Sequence, residues 1–181
     1  MKKSILLLAF TLSIAGVNAQ KLEERYVSRI LEDGILFFIK PFELPNAGKG
    51  KTAELDLTYL NTEDSVTANI SVYAPDILKT DSICLDGEGK RMCISGFKTF
   101  YIDKKGKNYI HRYSCTLPFS YWKELQKNES PYTINIYSGK DRIQYGYTTK
   151  AWNKERKWML QIIYLIERNG AIRTYNTSTI K

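Results

Sequence analysis

The sequence has little of what most motif-based enzymes need. It contains one histidine, three cysteines and five prolines in 181 residues. It has no nucleophile elbow, phosphate-binding loop, dinucleotide fingerprint, zinc-protease helix or paired CxxC motif. These absences weigh against the corresponding enzyme classes, and we expect no cofactor and no metal site. A hydrolase built from Asp and Glu residues that are dispersed in sequence leaves no local motif, so it stays open as a third hypothesis.

The chain also lacks a hydrophobic run long enough to cross a bilayer, which takes about 20 residues. Its most apolar stretch, 5–17, follows Lys2 and Lys3 and runs into Val17-Asn18-Ala19, a small-residue cleavage site. The sequence therefore predicts a cleaved signal peptide over 1–19. It also predicts export to a bacterial-type periplasm, the cell surface or the medium, with no transmembrane segment in the mature chain.

Residues 20–181 contain no linker, repeat or low-complexity tract and have the length of one domain. The net charge of the whole chain is +8, and the excess of Lys and Arg in the mature part lies after residue 138. Such asymmetry can mark a surface that binds polyanions, but it is more often a solvated face. Nucleic acid is disfavoured as a partner because an exported protein seldom meets it, and the oligomeric state is not predicted.

The cysteines predict one disulfide bond. When the segment 82–94 is folded about its Gly-rich centre as a hairpin, Cys84 lies opposite Cys93, and opposed Cβ atoms are about 4.5–5.5 Å apart. Cys115 then remains as a small buried hydrophobic residue. A nucleophilic Cys115 paired with His111 is improbable, because four residues along a strand span about 13 Å. We interpret His111 as a hydrogen-bonded residue of an aromatic layer.

Most of the chain has the alternating pattern and β-branched or aromatic composition of strands. These segments predict an antiparallel β-sandwich or barrel-like domain with one or two short helices. The predicted strands are 35–42, 53–60, 66–73, 97–102, 109–116, 132–138 and 143–149.

Two short helices and a C-terminal hairpin complete the prediction. One helix starts at Ser120 as its N-cap and ends before Pro131, and the other covers 22–32. Residues 152–168 are compatible with an amphipathic helix closed by Gly170. We favour instead a hairpin of 158–168 with 171–175 around a type I′ turn at Asn169-Gly170.

Aromatic residues carry the remaining signal, since the chain has thirteen tyrosines. Tyr137, Tyr145 and Tyr147 cluster around one predicted hairpin, and Lys140 and Arg142 lie in its turn. Tyrosine suits the recognition of sugars and extended peptides, although it also fills half-buried sheet faces. The leading hypothesis is a secreted, non-enzymatic β-domain that binds a glycan or an envelope protein through these five residues. The alternative is a structural or assembly component of the cell envelope.

Overall fold

The computed structural model describes residues 22–45, 52–94 and 96–178, with the backbone alone for 170–178. The predicted signal peptide lies outside the described residues. The described part consists mainly of antiparallel strands with two helices, which confirms the predicted mainly-β, sandwich-like class.

Ten strands form two sheets. Sheet A has the order β1-β2-β3-β4-β8-β7, and sheet B has the order β10-β9-β5-β6. All neighbouring strands are antiparallel. The bounds are β1 Tyr26–Ile30, β2 Ile35–Leu44, β3 Ala53–Leu60, β4 Ser65–Ala74, β5 Ser82–Gly87, β6 Lys90–Ile94, β7 Lys98–Lys105, β8 Asn108–Pro118, β9 Thr133–Ser138 and β10 Asp141–Gly146.

Strict alternation explains most of these strands, because one face of each is buried. In β3 the residues Leu55, Leu57 and Tyr59 are buried on the inner face. The intervening positions point to the outer face, so the side-chain period of two matches a sheet covered on one side.

Helices α1 (Phe119–Lys127) and α2 (Thr149–Ser178) cover part of the inner face of sheet A, and sheet B packs beside them. The Phe119 ring of α1 stacks on Tyr59 with centroids 3.9 Å apart. From Trp122 an edge-to-face series runs through Tyr132 to Trp152 of α2, with centroid distances of 5.9 and 5.3 Å. Helices and sheets therefore share one apolar core.

The predicted N-cap of α1 was wrong by two residues. Pro118 precedes the helix and provides no side-chain cap, and Ser120 lies inside the first turn. The Phe119 amide donates instead to the Asp64 carbonyl at 2.8 Å, so a neighbouring turn of sheet A satisfies it.

The predicted helix over 22–32 was also wrong, because Tyr26–Ile30 is the edge strand β1. Four of its five side chains are exposed, so no buried face imposes a period of two on the sequence. Backbone pairing with β2 determines the extended conformation of residues 26–30. The local helical preference of these residues is too weak to oppose that pairing.

The predicted C-terminal hairpin was the largest error, since residues 149–178 form one helix. Trp152, Met159, Ile162 and Ile166 recur at helical spacing and are buried in the core. Burial of this stripe outweighs the strand preference of the β-branched residues and the cost, about 1 kcal/mol, of Gly170 inside a helix. Thr148 supplies the N-terminal signal, because its Oγ1 accepts from the Ala151 amide at 3.3 Å.

Candidate functional site

The β5–β6 hairpin is the most constrained local structure on the surface. Cys84 and Cys93 are directly paired and disulfide-bonded, which confirms the predicted bond and register. The two residues between the paired Gly87 and Lys90 both have positive φ, 41° for Glu88 and 78° for Gly89, as in a type I′ turn. A glutamate in this conformation is uncommon, and such backbone strain is often found at functional positions.

This turn packs closely against α1. A Cβ atom at Gly87 would lie 2.7 Å from Leu125 Cδ2, so any larger residue there would force the Leu125 side chain to move. The Tyr121 hydroxyl of α1 donates to the Leu85 carbonyl of β5 at 3.0 Å. The disulfide and the helix together fix the position of the turn relative to α1.

Two clefts flank the turn, and we name them the turn-flanking clefts. The inner cleft, between the turn and α1, has a volume of about 340 Å³. The outer cleft, on the side of β9, is more open and has a volume of about 420 Å³. Most residues that line the two clefts have polar or charged side chains, although the clefts also expose apolar surface. Those of the inner cleft are Glu88, Lys90, Tyr121, Glu124, Lys127 and Asn128.

Charged groups of both signs meet in the inner cleft. Lys90 Nζ lies 2.6 Å from Glu124 Oε2. This hydrogen bond and the Lys90 charge lower the pKa of Glu124. With its amide oriented to match its neighbours, Asn128 donates to the Glu124 carbonyl at 3.2 Å and to Glu88 Oε2 at 3.0 Å. The Glu124 carboxyl is therefore held ionised, as an acceptor rather than as a proton donor.

The outer cleft opens onto the outer face of sheet B, where Arg91 connects several groups. Its Nη2 donates to the Tyr137 hydroxyl at 2.6 Å, and its guanidinium lies over the Tyr137 ring, 5.5 Å from the centroid. Its Nε lies 3.3 Å from Asp86 Oδ1. Asn135 Nδ2 donates to Asp86 Oδ2 at 2.7 Å. Asn135 is fully buried, and its Oδ1 has no hydrogen-bond partner among the described residues.

No protein-family model matches this chain, and neither a curated protein nor a solved structure matches it significantly. The site must therefore be interpreted from its own geometry.

The structure does not bring the three predicted tyrosines onto one surface. Tyr137 pairs with Arg142, and both lie on the outer face of sheet B beside Arg91. Tyr145 pairs with Ile134 on the inner face and is fully buried. The Tyr147 ring stacks on Trp152, with centroids 5.8 Å apart, and its hydroxyl is buried. Burial raises the pKa of Tyr145 to about 12 and raises that of Tyr147 as well.

The two predicted basic residues are on the surface. Lys140 is exposed in the turn after β9, and Arg142 donates to the Gln144 side chain next to it on β10. Sequence reasoning missed Asp86, Arg91 and the residues of the inner cleft. The cysteines provided a signal for the first two, because alternation in a hairpin puts Asp86 and Arg91 on the same face as the disulfide.

His111 and Cys115 lie apart from the clefts, on β8. The Cys115 thiol is buried, donates to the Ala68 carbonyl at 3.5 Å, and has its pKa raised to about 12 by burial. The burial confirms the prediction that Cys115 is a buried hydrophobic residue. Because the thiolate is the reactive form of cysteine, a raised pKa also makes this thiol unreactive. His111 is fully buried and stacks on Tyr113, in agreement with its predicted aromatic layer.

The described residues contain neither a cluster of metal-ligating side chains nor a membrane-spanning helix. No group of three or more His, Cys, Asp or Glu residues there is arranged to hold a metal ion. In the same part of the chain, no helix is both long and apolar enough to cross a bilayer.

Proposed function

We propose that the protein is an exported, non-enzymatic binding domain whose turn-flanking clefts bind a glycan. The observation that carries this proposal is the pair of polar clefts on either side of a turn braced by a disulfide. Their volumes fall within the range of small-molecule sites, about 300–1,000 Å³.

The chemistry of the linings fits a sugar better than an apolar ligand. Sugars present many hydroxyl groups, which need both donors and acceptors at fixed positions. Glu88, Glu124 and Asn128 supply acceptors, and Lys90 and Lys127 supply donors. The Tyr121 ring adds an apolar face beside these polar groups. Tyr137, Lys140 and Arg142 extend the proposed surface along the outer face of sheet B.

Glu124 does not fit the role of the general acid of a glycosidase. Acid catalysis at a glycosidic bond needs a carboxyl group with a raised pKa. The hydrogen bond and charge of Lys90 lower the pKa of Glu124 instead.

Export is part of the proposal. A disulfide bond persists in oxidising compartments and is rare in a reducing cytosol. The Cys84–Cys93 bond and the leader-like pattern of residues 1–19 are independent observations, and they agree.

Affinity measurements on a panel of soluble neutral, acidic and amino-sugar oligosaccharides test the glycan proposal. We expect binding of at least one oligosaccharide, weakened about tenfold by Glu124→Gln through loss of a charged acceptor. Glu129→Gln is the matched control, because it makes the same change at a nearby exposed position outside both clefts. Absence of binding across the panel, or equal effects of the two variants, would refute the proposal.

A second candidate is assembly of the cell envelope, and one observation favours it. All eight residues of β7 are exposed at the edge of sheet A. An exposed strand edge is a template for pairing with another chain.

A further inference from the structure

Sheet A ends in two open edges among the described residues. β1 pairs only with β2, and β7 pairs only with β8. Both edges expose apolar side chains. Val27 and Ile30 of β1 are 53% and 82% exposed, and Phe100 and Tyr101 of β7 are 58% and 47% exposed. Unpaired backbone groups next to exposed apolar side chains favour the addition of a further strand.

The charges of the β7 edge oppose pairing with a second β7. Lys98, Lys104 and Lys105 occupy its two ends, and Asp103 is its one acidic residue. A bulge between Thr99 and Tyr101 also makes the edge irregular. Lysines and bulges on an edge strand prevent pairing with an identical edge. A partner for this edge should therefore carry acidic residues at its ends.

Residues that flank the β1 edge carry this complementary charge. Exposed Glu23 and Glu24 lie just before the strand and exposed Glu32 and Asp33 just after it, while exposed Arg29 is the one charged residue within the strand. Its centre contains the apolar Val27, as the centre of β7 contains Phe100 and Tyr101.

Strand direction also permits the pairing. Directions alternate through the six strands of sheet A, so β1 and β7 run in opposite directions. If a second copy continues the sheet in the same orientation, its β1 is antiparallel to the β7 of the first copy. With Lys105 opposite Glu23, Lys104 lies opposite Glu24 and Lys98 lies near Ile30, so the complementary charges meet at the Lys104–Lys105 end of β7.

We propose that the partner of the β7 edge is the β1 edge of a second copy of this chain. The contact uses different surfaces of the two copies, so each added copy leaves one β1 edge and one β7 edge open, and growth continues. Adjacent strands twist by about 20–25°, so six strands rotate each copy by about 120–150° relative to the last. The product is a short helical ladder of copies rather than a closed dimer.

We expect the contact between the β7 and β1 edges to be weak, because it is small and electrostatic. It joins a strand of five residues to one of eight, well below the area of a stable obligate interface. The exposed charges of Lys104, Lys105, Glu23 and Glu24 make it sensitive to salt, since the screening length falls from about 10 Å at 0.1 M to about 3 Å at 1 M. Association should therefore be weak, dependent on concentration and reversed by salt.

Sedimentation velocity on the full chain, produced in an export-competent host, tests this proposal. At low salt the average mass should rise continuously with concentration beyond that of a dimer. Lys104→Glu/Lys105→Glu and Glu23→Lys/Glu24→Lys should each weaken association about tenfold or more, because each makes the two edges alike in charge. An equimolar mixture of the two variants should restore growth, since every contact between unlike variants is again complementary.

Lys140→Glu/Arg142→Glu is the matched control, because it reverses two exposed charges at the β9–β10 connection of sheet B, outside the edge strands of sheet A. It should associate like the unmodified protein. A monomer at all concentrations, growth that stops at a dimer, or a mixture that fails to restore association would overturn the proposal. If a double variant does not fold, Val27→Lys and Tyr101→Lys test the two edges separately, and each should weaken association. Binding of oligosaccharides does not enter these measurements, so this proposal and the glycan proposal fail independently.

Discussion

Asp56 is fully buried although its side chain lies on the outer face of sheet A. Its Oδ1 accepts from Asn69 Nδ2 at 2.8 Å, and its Oδ2 lies 2.5 Å from Arg112 Nη2. Arg112 also donates to Ser71 Oγ at 2.7 Å. The bulge in β2 between Ile39 and Phe42 lies next to this position. A charged group is therefore enclosed by neutral and cationic partners on the outer face of sheet A, where Asn69 and Ser71 are buried with it.

Loss of the Asp56 charge should destabilise the fold, because it leaves Arg112 without its counter-ion in a largely desolvated setting. We expect Asp56→Asn to lower the free energy of unfolding by about 3 kcal/mol, measured by urea denaturation. Asp141→Asn makes the same change at the exposed first residue of β10 and should stay within about 0.5 kcal/mol of the unmodified protein. Equal effects of the two variants would contradict a structural role for the buried pair.

His111 should make stability depend on pH. Burial lowers its pKa from the usual 6.5, against a smaller opposing effect of the hydrogen bond to the Asp76 carbonyl at 3.3 Å. The unfolded chain therefore binds a proton more readily than the folded one. The free energy of unfolding should be constant above about pH 6.5 and should fall as the pH drops below that value.

Urea midpoints at about pH 7.5 and pH 5.5 measure this dependence. In His111→Gln the difference between the two midpoints should shrink, because the titrating group is gone, even if the variant is less stable at both pH values. An unchanged difference would assign the dependence to other groups.

At the level of secondary structure, α2 can be distinguished from a strand by mutation. A helix puts Ile162 in the core and Tyr164 outside, as observed, with Ile162 1% and Tyr164 61% exposed. A strand would put both on one face. We expect Ile162→Ala to cost about 2–5 kcal/mol and Tyr164→Ala less than about 0.5 kcal/mol, measured by chemical denaturation. Similar costs at the two positions would contradict the helix.

The elements that sequence predicted correctly are those whose pattern is complete within a few residues. The alternation in 53–60 and the spacing of Cys84 and Cys93 are local, and both determine a register without knowledge of the rest of the chain. By contrast, α2 is a helix because its apolar stripe packs into the shared core, and β1 is a strand because it pairs with β2. Neither of these tertiary contacts can be inferred from local propensity.

The candidate site was predicted only in part for the same reason. The hairpin itself was found, but the inner cleft requires α1 to pack on the β5–β6 turn. The grouping of Asp86 with Asn135 requires β5 to pair with the distant β9. Tyr137 and Tyr145 lie on opposite faces because of the register in which β9 pairs with β10. A shift of one strand by one residue would move its side chains to the other face of the sheet.

At the scale of the whole molecule, the leader-like segment predicts a processed protein. The intact mass of the chain secreted by its native host should correspond to a start at Gln20, with or without cyclisation of that residue. An alkylation assay under denaturing, non-reducing conditions should then label Cys115 alone. A secreted chain that retains Met1 would contradict the predicted cleavage.

The order of the strands determines when the fold can be completed during synthesis. β4 pairs with β8 rather than with β5, and β5 pairs with β9. Sheet A therefore cannot close before residue 118 has been made, nor sheet B before residue 146. Pairings between strands so distant in sequence form slowly, and chains are made from the N-terminus at about 5–20 residues per second. A nascent chain of this kind can form the consecutive pairings of β1 to β4 early, but it cannot complete either sheet until most of it has been made.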